Sequence, residues 1–432
     1  MKHSLLVILC VGCLWAPQHA EASPPYFYPF VNPYEATVFE LPPALEAPLP
    51  NEIPTKEFTV TVFPERTIPE VFWYEDGLVC TLSPQAHKAP LVFALAGMGS
   101  RYDSALMLKF RKMLYQAGFH VIALSSPTQM DFVVNASTGL PGDAVEDARD
   151  LYRVMRQAYE QVRNTIEVSS FALAGYSLGA FNAAFVARLD DEERRFNFTN
   201  VLLVNPPVDL YVGASALDQL LVDNIPGGMA HFGSWFRSVV TTYVTLTADA
   251  GSRALSGEVL YQAYKRHPPD ETNLAALIGL AFRLGVADMI FTTDVMNGGG
   301  YIVPKNARLT NATSLTRFAM VAVRTSLLDY FAEYFLPYWQ RREPGLTRQG
   351  LIDRETLRAI EPYLAGTDKI RLIHNEDDII LAPGDIDYLA RVFGARMRVF
   401  PTGGHLGNMW HPAVVRTMVE FLTGKEPWSW GK

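Results

Sequence analysis

The chain contains 432 residues, of which 49% are hydrophobic, and carries a formal net charge of −8. It is long enough to bury a large core, and it exceeds the usual size of a single domain. An acidic chain repels phosphate backbones, so this charge disfavours a nucleic acid as its partner.

Residues 1–22 are expected to form a signal peptide, which is not part of the fold. A short basic start precedes an apolar stretch from Ser4 to Trp15, and Ala20-Glu21-Ala22 has the A-x-A pattern of a cleavage site. The apolar stretch is too short to span a bilayer comfortably. This pattern predicts an exported protein, located in the periplasm or the cell envelope.

Cys13 leaves a second processing route open. A Gly-Cys pair at the end of an apolar run resembles a bacterial lipoprotein site, although Cys10 stands where leucine is usual. A lipid on Cys13 would tether the protein to a membrane. Beyond the signal region Cys80 stands alone, which excludes an intramolecular disulfide and weakly favours a bacterial periplasm. No later stretch is expected to span a membrane.

Residues 23–56 are predicted to be extended. Nine prolines disfavour both a helix interior and a sheet ladder in this segment. Six aromatic side chains between Tyr26 and Phe39 would be costly to leave in water. A strap lying on the core is therefore favoured over a spacer from the membrane.

From residue 57 onward, strand-like and helix-like stretches alternate, as in a mostly parallel sheet with helices on both faces. Eight strands are predicted, over residues 57–63, 71–82, 90–95, 120–125, 171–174, 200–205, 369–374 and 396–400. The first two are consecutive, which suggests an antiparallel edge. The predicted core occupies residues 57–207 and 368–432. Residues 208–367 between them are predicted to form an inserted helical cap, with helices that include 258–266 and 270–284.

The sequence Gly175-Tyr176-Ser177-Leu178-Gly179 lies between a strand-like and a helix-like stretch. A serine hydroxyl is a weak nucleophile, so the fold must expose it on a tight turn where a base can reach it. The flanking glycines relieve the crowding in such a turn. This pattern predicts that Ser177 is a nucleophile, the alternative being an idle serine in a tight turn.

With this motif and the strand pattern, the chain resembles the α/β-hydrolase superfamily of serine hydrolases over residues 57–424. In that family an acid and then a histidine follow the serine. The resemblance implies that the acid is Asp378, after the seventh strand, with Asp377 and Asp209 as alternatives. It implies that the base is His405, in the loop after the last strand. His405 would exchange the serine proton while the acid orients the imidazole.

The resemblance also implies an oxyanion hole formed by two backbone N–H groups, those of Met98 and Leu178. Such a donor, aimed where negative charge develops, contributes roughly 3–4 kcal/mol to the transition state. Met98 lies in the glycine-containing loop after the third strand. Glycines there would equally permit an ordinary strand-to-helix turn.

These residues predict a hydrolase that acts on a carboxylic ester or thioester through an acyl-serine intermediate. An acyltransferase or serine peptidase would use the same triad, and a binding protein could keep the fold without turnover. Some aromatic residues of the cap are expected to line an apolar pocket, the first candidates being Trp235, Phe236 and Phe335. No phosphate-binding loop and no metal-ligand spacing is found, so neither a cofactor nor a metal is implied. The oligomeric state is left open.

Overall fold

The computed structural model describes residues 26–39, 41–249 and 271–424. The predicted signal peptide, with Cys13, lies outside the described residues, as does the predicted cap helix at 258–266.

Eight strands form a single sheet in the order β1-β2-β4-β3-β5-β6-β7-β8. β2 pairs antiparallel with both β1 and β4, and every other pairing is parallel. This is the strand order of the α/β-hydrolase fold, so the predicted fold class is confirmed. The strands are β1 Lys56–Val60, β2 Leu78–Ser83, β3 Ala89–Leu95, β4 His120–Leu124, β5 Val168–Tyr176, β6 Asn200–Val204, β7 Ile370–Asn375 and β8 Met397–Phe400.

The second strand begins later than predicted. Val71 and Phe72 lie in a 3-10 turn, Glu70–Phe72, and are buried against the cap. Gly77 then adopts a φ of 87°, a left-handed conformation that favours glycine and interrupts an extended strand. The apolar residues at 71 and 72 are therefore buried without being part of the sheet.

Apolar side chains cover both faces of the sheet. Along β3, Phe93 and Leu95 pack into one layer while Val92 and Ala94 pack into the other, because successive side chains of a strand point to opposite faces. The core helices are Ala105–Gln116, Met130–Asn135, Ala144–Val162, Leu178–Glu193, Asp385–Phe393 and Pro412–Thr423. The helix Leu178–Glu193 follows Ser177 and is called the elbow helix below.

A helical insertion lies between β6 and β7, as predicted. Its α-helices are Leu210–Asn224, Phe232–Asp249, Glu271–Asn297, Thr316–Arg324, Leu327–Tyr330, Leu336–Arg342, Arg348–Arg354 and Glu361–Gly366. A π-helical turn, Phe331–Phe335, joins two of them, and 3-10 turns lie at Met229–His231 and Leu357–Ile360.

The helix Glu271–Asn297 is called the long cap helix below. It shows that the expectation of no later membrane-spanning stretch was wrong as a statement about length and composition. By length and composition it could cross a membrane, with a mean hydropathy of 1.9 in its most apolar window. The helix was predicted to end at residue 284, but it continues through Gly285 to Asn297. In the structure 67% of that window is buried, and the helix packs against the helix Leu210–Asn224. Its apolar surface is thus largely used inside the cap.

The prediction that residues 23–56 are extended is wrong for part of this segment. A short helix, Pro33–Val38, and a 3-10 turn, Pro43–Leu45, lie within it. Proline fits the first position of a helix because its missing N–H would have no partner there. The side chain of Asn32 caps the helix by accepting the N–H groups of Tyr34 and Glu35. The prolines therefore begin helical turns here.

Candidate active site

Ser177 lies on a sharp turn between β5 and the elbow helix. Its backbone has φ 53° and ψ −126°, a conformation that costs a residue with a side chain on the order of 1–3 kcal/mol. A Cβ atom at Gly175 would overlap the carbonyl of Gly179, and one at Gly179 would overlap the carbonyl of Leu95. Only glycine fits both positions, so the motif holds the serine at the carboxyl end of the central strands.

The three residues Ser177, His405 and Asp378 are connected by hydrogen bonds. The Nε2 atom of His405 lies 2.9 Å from the Oγ atom of Ser177. The Nδ1 atom of His405 lies 3.0 Å and 3.1 Å from the two carboxylate oxygens of Asp378. With Nδ1–H donating to the carboxylate, Nε2 is free to accept the serine hydroxyl proton. The structure therefore brings the predicted nucleophile, base and acid together.

Asp378 is buried and its carboxylate is surrounded by donors. The side-chain amide of Asn205 donates to one oxygen at 2.8 Å, and the N–H of Ile380 donates to the other at 3.2 Å. Burial alone would raise the pKa of Asp378, but His405, followed by His374 and Asn205, holds it below its ordinary value. An ionised carboxylate at this position stabilises an imidazolium ring.

A second histidine, His374, lies behind the acid at the end of β7. Its ring is fully buried, and burial lowers its pKa. The Nδ1 atom accepts the N–H of Asn375 at 3.0 Å, so Nε2 carries the proton and donates to the carbonyl of Pro206 at 3.0 Å. His374 thus ties β7 to the end of β6. Sequence reasoning did not assign a role to His374 or Asn205, although both lie at strand ends, where such residues are expected.

The two alternative acids lie elsewhere. The carboxylate of Asp377 accepts the N–H groups of Gly403 and Gly404, at 3.1 Å and 2.9 Å. Asp209 accepts the N–H of Val212 and caps the helix Leu210–Asn224. Among the described residues neither carboxylate bonds to His405.

The predicted oxyanion donors lie beside the serine. Ser177, Met98 and Leu178 line one small cavity. Among the described residues, the backbone N–H groups of Met98 and Leu178 donate to no other protein group. A Cβ atom at Gly97 would be 3.1 Å from the Tyr176 ring and 3.2 Å from Cβ of Ser177, so this loop packs closely on the elbow.

An apolar cavity extends from Ser177 toward the cap. Its inner part, about 80 Å³, is lined by Ser177, His405 and apolar residues of both domains. An adjoining part, about 110 Å³, is lined mainly by side chains of the cap: Tyr211, Ala214, Met289, Leu327, Tyr330, Phe331 and Phe335. The two parts share Met98, Leu178, Leu210 and Ala214.

Of the three aromatic residues first considered for this pocket, only Phe335 lines it. Trp235 and Phe236 pack around Phe232 in a separate cluster of the cap. Glu355 is a carboxyl group in the cavity wall, where one of its oxygens accepts the N–H of Ala144 at 2.6 Å. Burial, followed by the charge of Asp143, raises the pKa of Glu355, which favours its neutral form.

No group of three or more histidine, cysteine, aspartate or glutamate residues in the described part of the chain could hold a metal ion. No protein-family model matches the chain, and none of the curated proteins matches its sequence.

Several solved esterase structures are similar to the chain in fold. An esterase from Rhizomucor miehei is 14% identical with a TM-score of 0.41, and the match covers 87% of this chain and 85% of that one. The esterase of Pyrobaculum calidifontis is 14% identical, with a TM-score of 0.39 and 87% of both chains covered. An esterase of Pyrococcus furiosus is 11% identical, with a TM-score of 0.40 and 94% and 100% covered. At these values the likeness carries no argument about activity.

Proposed function

We propose that this chain is an exported serine hydrolase that cleaves a carboxylic ester or thioester through an acyl-serine intermediate. The observation that carries the proposal is the pair of contacts of His405, 2.9 Å to the hydroxyl of Ser177 and 3.0 Å to the carboxylate of Asp378. A hydroxyl on a strained turn, bonded to a histidine that is itself bonded to a buried acid, matches the arrangement of an activated nucleophile.

In the first half-reaction, Ser177 Oγ forms a bond to the carbonyl carbon of the substrate while its proton passes to His405 Nε2. The carbonyl oxygen becomes an oxyanion, and the N–H groups of Met98 and Leu178 are the donors that we assign to it. The tetrahedral intermediate then breaks its bond to the alcohol or thiol. His405 returns the proton to this leaving group, and an acyl-serine remains.

In the second half-reaction, water repeats these steps. The oxygen of a water molecule attacks the acyl carbon while His405 takes a proton from that water. The proton then passes to Ser177 Oγ as the bond between Oγ and the acyl carbon breaks and the acid product leaves. Asp378 stays ionised throughout and stabilises the imidazolium that forms twice in the cycle. Its lowered pKa is consistent with this role.

The cavity above Ser177 supports the proposal that the acyl group of the substrate is apolar and contacts the cap. Its wall is formed by leucine, methionine, phenylalanine and tyrosine side chains, with Glu355 favoured in its neutral form. A charged acyl chain would lose its hydration there without gaining a paired charge. An aliphatic or aromatic acyl group would lose no such hydration.

The test combines covalent labelling with turnover. The purified protein should be labelled by a fluorophosphonate and should hydrolyse a panel of nitrophenyl esters and acyl thioesters. Ser177→Ala should keep the parental circular dichroism and melting temperature but lose labelling, with turnover reduced roughly a millionfold. Ser170→Ala, at the far end of β5, is the matched control and should keep both activities.

Full labelling of Ser177→Ala would contradict the proposed nucleophile. If the labelled protein hydrolyses peptides or transfers its acyl group to an added alcohol faster than to water, the peptidase or acyltransferase alternative replaces the hydrolase. If the protein is inert to every probe, the fold serves binding without turnover.

A further inference from the structure

The loop that carries His405, residues 401–411, is held from outside by the N-terminal segment, which we define as residues 26–39 and 41–47. The backbone N–H of His405 donates to Oγ1 of Thr37 at 2.9 Å. The hydroxyl of Thr37 in turn donates to the carbonyl of Pro33 at 2.7 Å, which fixes the direction of its lone pairs. Thr37 thus bonds directly to the backbone of the predicted base.

Two glycines of the histidine loop show how closely the segment approaches. A Cβ atom at Gly404 would overlap the carbonyl of Pro33, and one at Gly407 would overlap the carbonyl of Ala36. The short helix Pro33–Val38 therefore lies with its backbone directly on the loop. The hydroxyl groups of Thr37 and Tyr28 would also lie within 3 Å of these two Cβ atoms.

Further bonds connect the segment to the rest of the loop. The hydroxyl of Tyr26 donates to the carbonyl of Thr402 and accepts from the side-chain amide of Asn408. His411 Nε2 bonds to the carbonyl of Phe27, and the N–H of Ala47 donates to the carbonyl of Trp410 at 2.8 Å. These contacts extend over most of the length of the loop.

The inner side of the loop is held by the end of β7 and by the loop that follows it. Asp377 accepts the N–H groups of Gly403 and Gly404, and the side-chain amide of Asn375 donates to the carbonyl of Gly404 at 2.8 Å. Beyond His405, the side-chain amides of Asn375 and Asn408 bond to each other at 2.6 Å and 2.9 Å. The N–H of His405 itself is bonded from the outer side, by Thr37.

We infer that the N-terminal segment is part of the active site, with Thr37 as a positioning residue that fixes the backbone of His405. This inference rests on the proposed function. A histidine must lie within hydrogen-bond distance of both the nucleophile and the acid, and small displacements of a reacting group reduce rates strongly. By bonding to the residue that carries the ring, Thr37 limits the movement of Nε2 relative to Ser177.

The experiment compares three single variants in the full-length mature chain. Thr37→Val removes the acceptor and keeps the branched shape, whereas Thr37→Ser keeps the acceptor. Thr417→Val is the matched control, because the Thr417 hydroxyl also donates one helical turn back, to Ala413, but bonds to no residue of the triad. Each is measured for kcat and KM on a short-chain nitrophenyl ester, for the rate of labelling by a small phosphonate, and for melting temperature.

Thr37→Val should lower kcat and the labelling rate roughly tenfold, with KM within about twofold of the parent. Thr37→Ser and Thr417→Val should stay within about twofold in kcat. A purely structural role would lower the melting temperature of both valine variants alike and leave kcat unchanged, which would overturn the inference. Loss of kcat in the serine variant equal to that in the valine variant would also overturn it.

A readout that needs no turnover separates this inference from the proposed function. The proton on His405 Nδ1, bonded to Asp378, should give a downfield resonance that broadens in Thr37→Val and persists in the other two variants. An inactive, unlabelled parent would refute the proposed function while this resonance still tests the role of Thr37. Should the valine variant fail to fold, Thr37→Ala removes the same acceptor and repeats the measurement. An unchanged resonance in the folded variant would contradict the inference.

Discussion

Asp377 and Asp378 are neighbours in the chain, but their carboxylates have different partners. Asp378 bonds to His405 and Asn205, whereas Asp377 accepts two N–H groups of the histidine loop. We expect Asp378→Asn to lower kcat on the order of ten-thousandfold, because the amide cannot hold the required imidazole tautomer. Asp377→Asn still offers one carbonyl oxygen to the loop, and a loss of no more than about tenfold is expected.

Steady-state kinetics of the two variants on one ester would check this prediction. Both should be compared at equal folded fraction, measured by circular dichroism. A collapse of kcat in Asp377→Asn with near-parental turnover in Asp378→Asn would reverse the assignment of the acid.

Among individual residues, the sequence predicts those that belong to a recognisable motif. Ser177 follows from the glycines on both sides of it, and the resemblance to α/β-hydrolases implies Asp378 and His405 in the loops after two late strands. Asn205 and Thr37 have no such signal, because their partners are 173 and 368 residues away. Only the pairing of the strands and the path of the N-terminal segment bring them to the site.

Among the elements, the π-helical turn Phe331–Phe335 supplies the aromatic end of the cavity. We expect Phe335→Leu to enlarge this end and to shift the preferred nitrophenyl ester toward longer or bulkier acyl groups, several-fold in the ratio of kcat/KM. Phe236→Leu, in the cluster around Phe232, should leave that ratio unchanged. The rate of labelling by a small phosphonate should stay near parental in both.

An unchanged ratio in a folded Phe335→Leu protein, while Phe236→Leu shifts it, would show that the cavity described above is not the acyl site. Turnover of a series of ester chain lengths provides the measurement. A common loss in both variants would indicate a general loosening of the cap.

The long cap helix packs against the core helix Met130–Asn135. The charge of Asp131, on that core helix, acts on the carboxyl groups of both Asp288 and Glu75. Burial, followed by the charge of Asp131, raises the pKa of Asp288 to about 6. A raised pKa means that the folded state holds this proton more tightly, so the contribution of Asp288 to stability is lost as the pH rises toward and through about 6.

The substitution Asp288→Asn removes this loss of stability, because asparagine does not titrate. The free energy of unfolding of the variant, relative to the parent, should therefore rise by on the order of 2 kcal/mol between about pH 4.5 and about pH 7.5. Urea unfolding at the two pH values would measure it, with Asp223→Asn, an exposed aspartate of the cap, as the control. An equal difference from the parent at both pH values would refute the prediction.

Most strands were predictable because short apolar runs bounded by turn residues are unambiguous when helices separate them. The start of β2 was not predictable, because the apolar residues at 71 and 72 are buried by contact with the cap and not by pairing with a neighbouring strand. The predicted end of the long cap helix at residue 284 was wrong, because the helix continues to Asn297 where other helices pack against it. Proline content alone does not predict the helix Pro33–Val38, because proline breaks a helix interior but fits its first turn.

At the scale of the whole molecule, the proposal of export makes a prediction about processing. If residues 1–22 are a signal peptide, the exported protein should begin at Ser23, and intact-mass measurement of the envelope fraction should show it. Ala22→Arg should accumulate the precursor, because the residue before the cleavage site must be small. Cys13→Ser should leave the mature mass unchanged.

The lipoprotein route gives a different result. A chain that begins at a lipid-modified Cys13 would be heavier and would partition into detergent, and Cys13→Ser would abolish both properties. That outcome would replace the soluble periplasmic protein by a membrane-tethered one.

The contact between the N-terminal segment and the histidine loop joins two parts of the chain that are synthesised at different times. The bonded pairs Thr37–His405 and Phe27–His411 are separated by 368 and 384 residues. At elongation rates of about 5 to 20 residues per second, a ribosome needs about 20 to 75 seconds to add that length of nascent chain. The first segment to emerge must therefore wait for nearly the last one before the triad is fixed. If the chain is exported before it folds, as the proposed signal peptide implies, this order of assembly would keep Ser177 unreactive until export is complete.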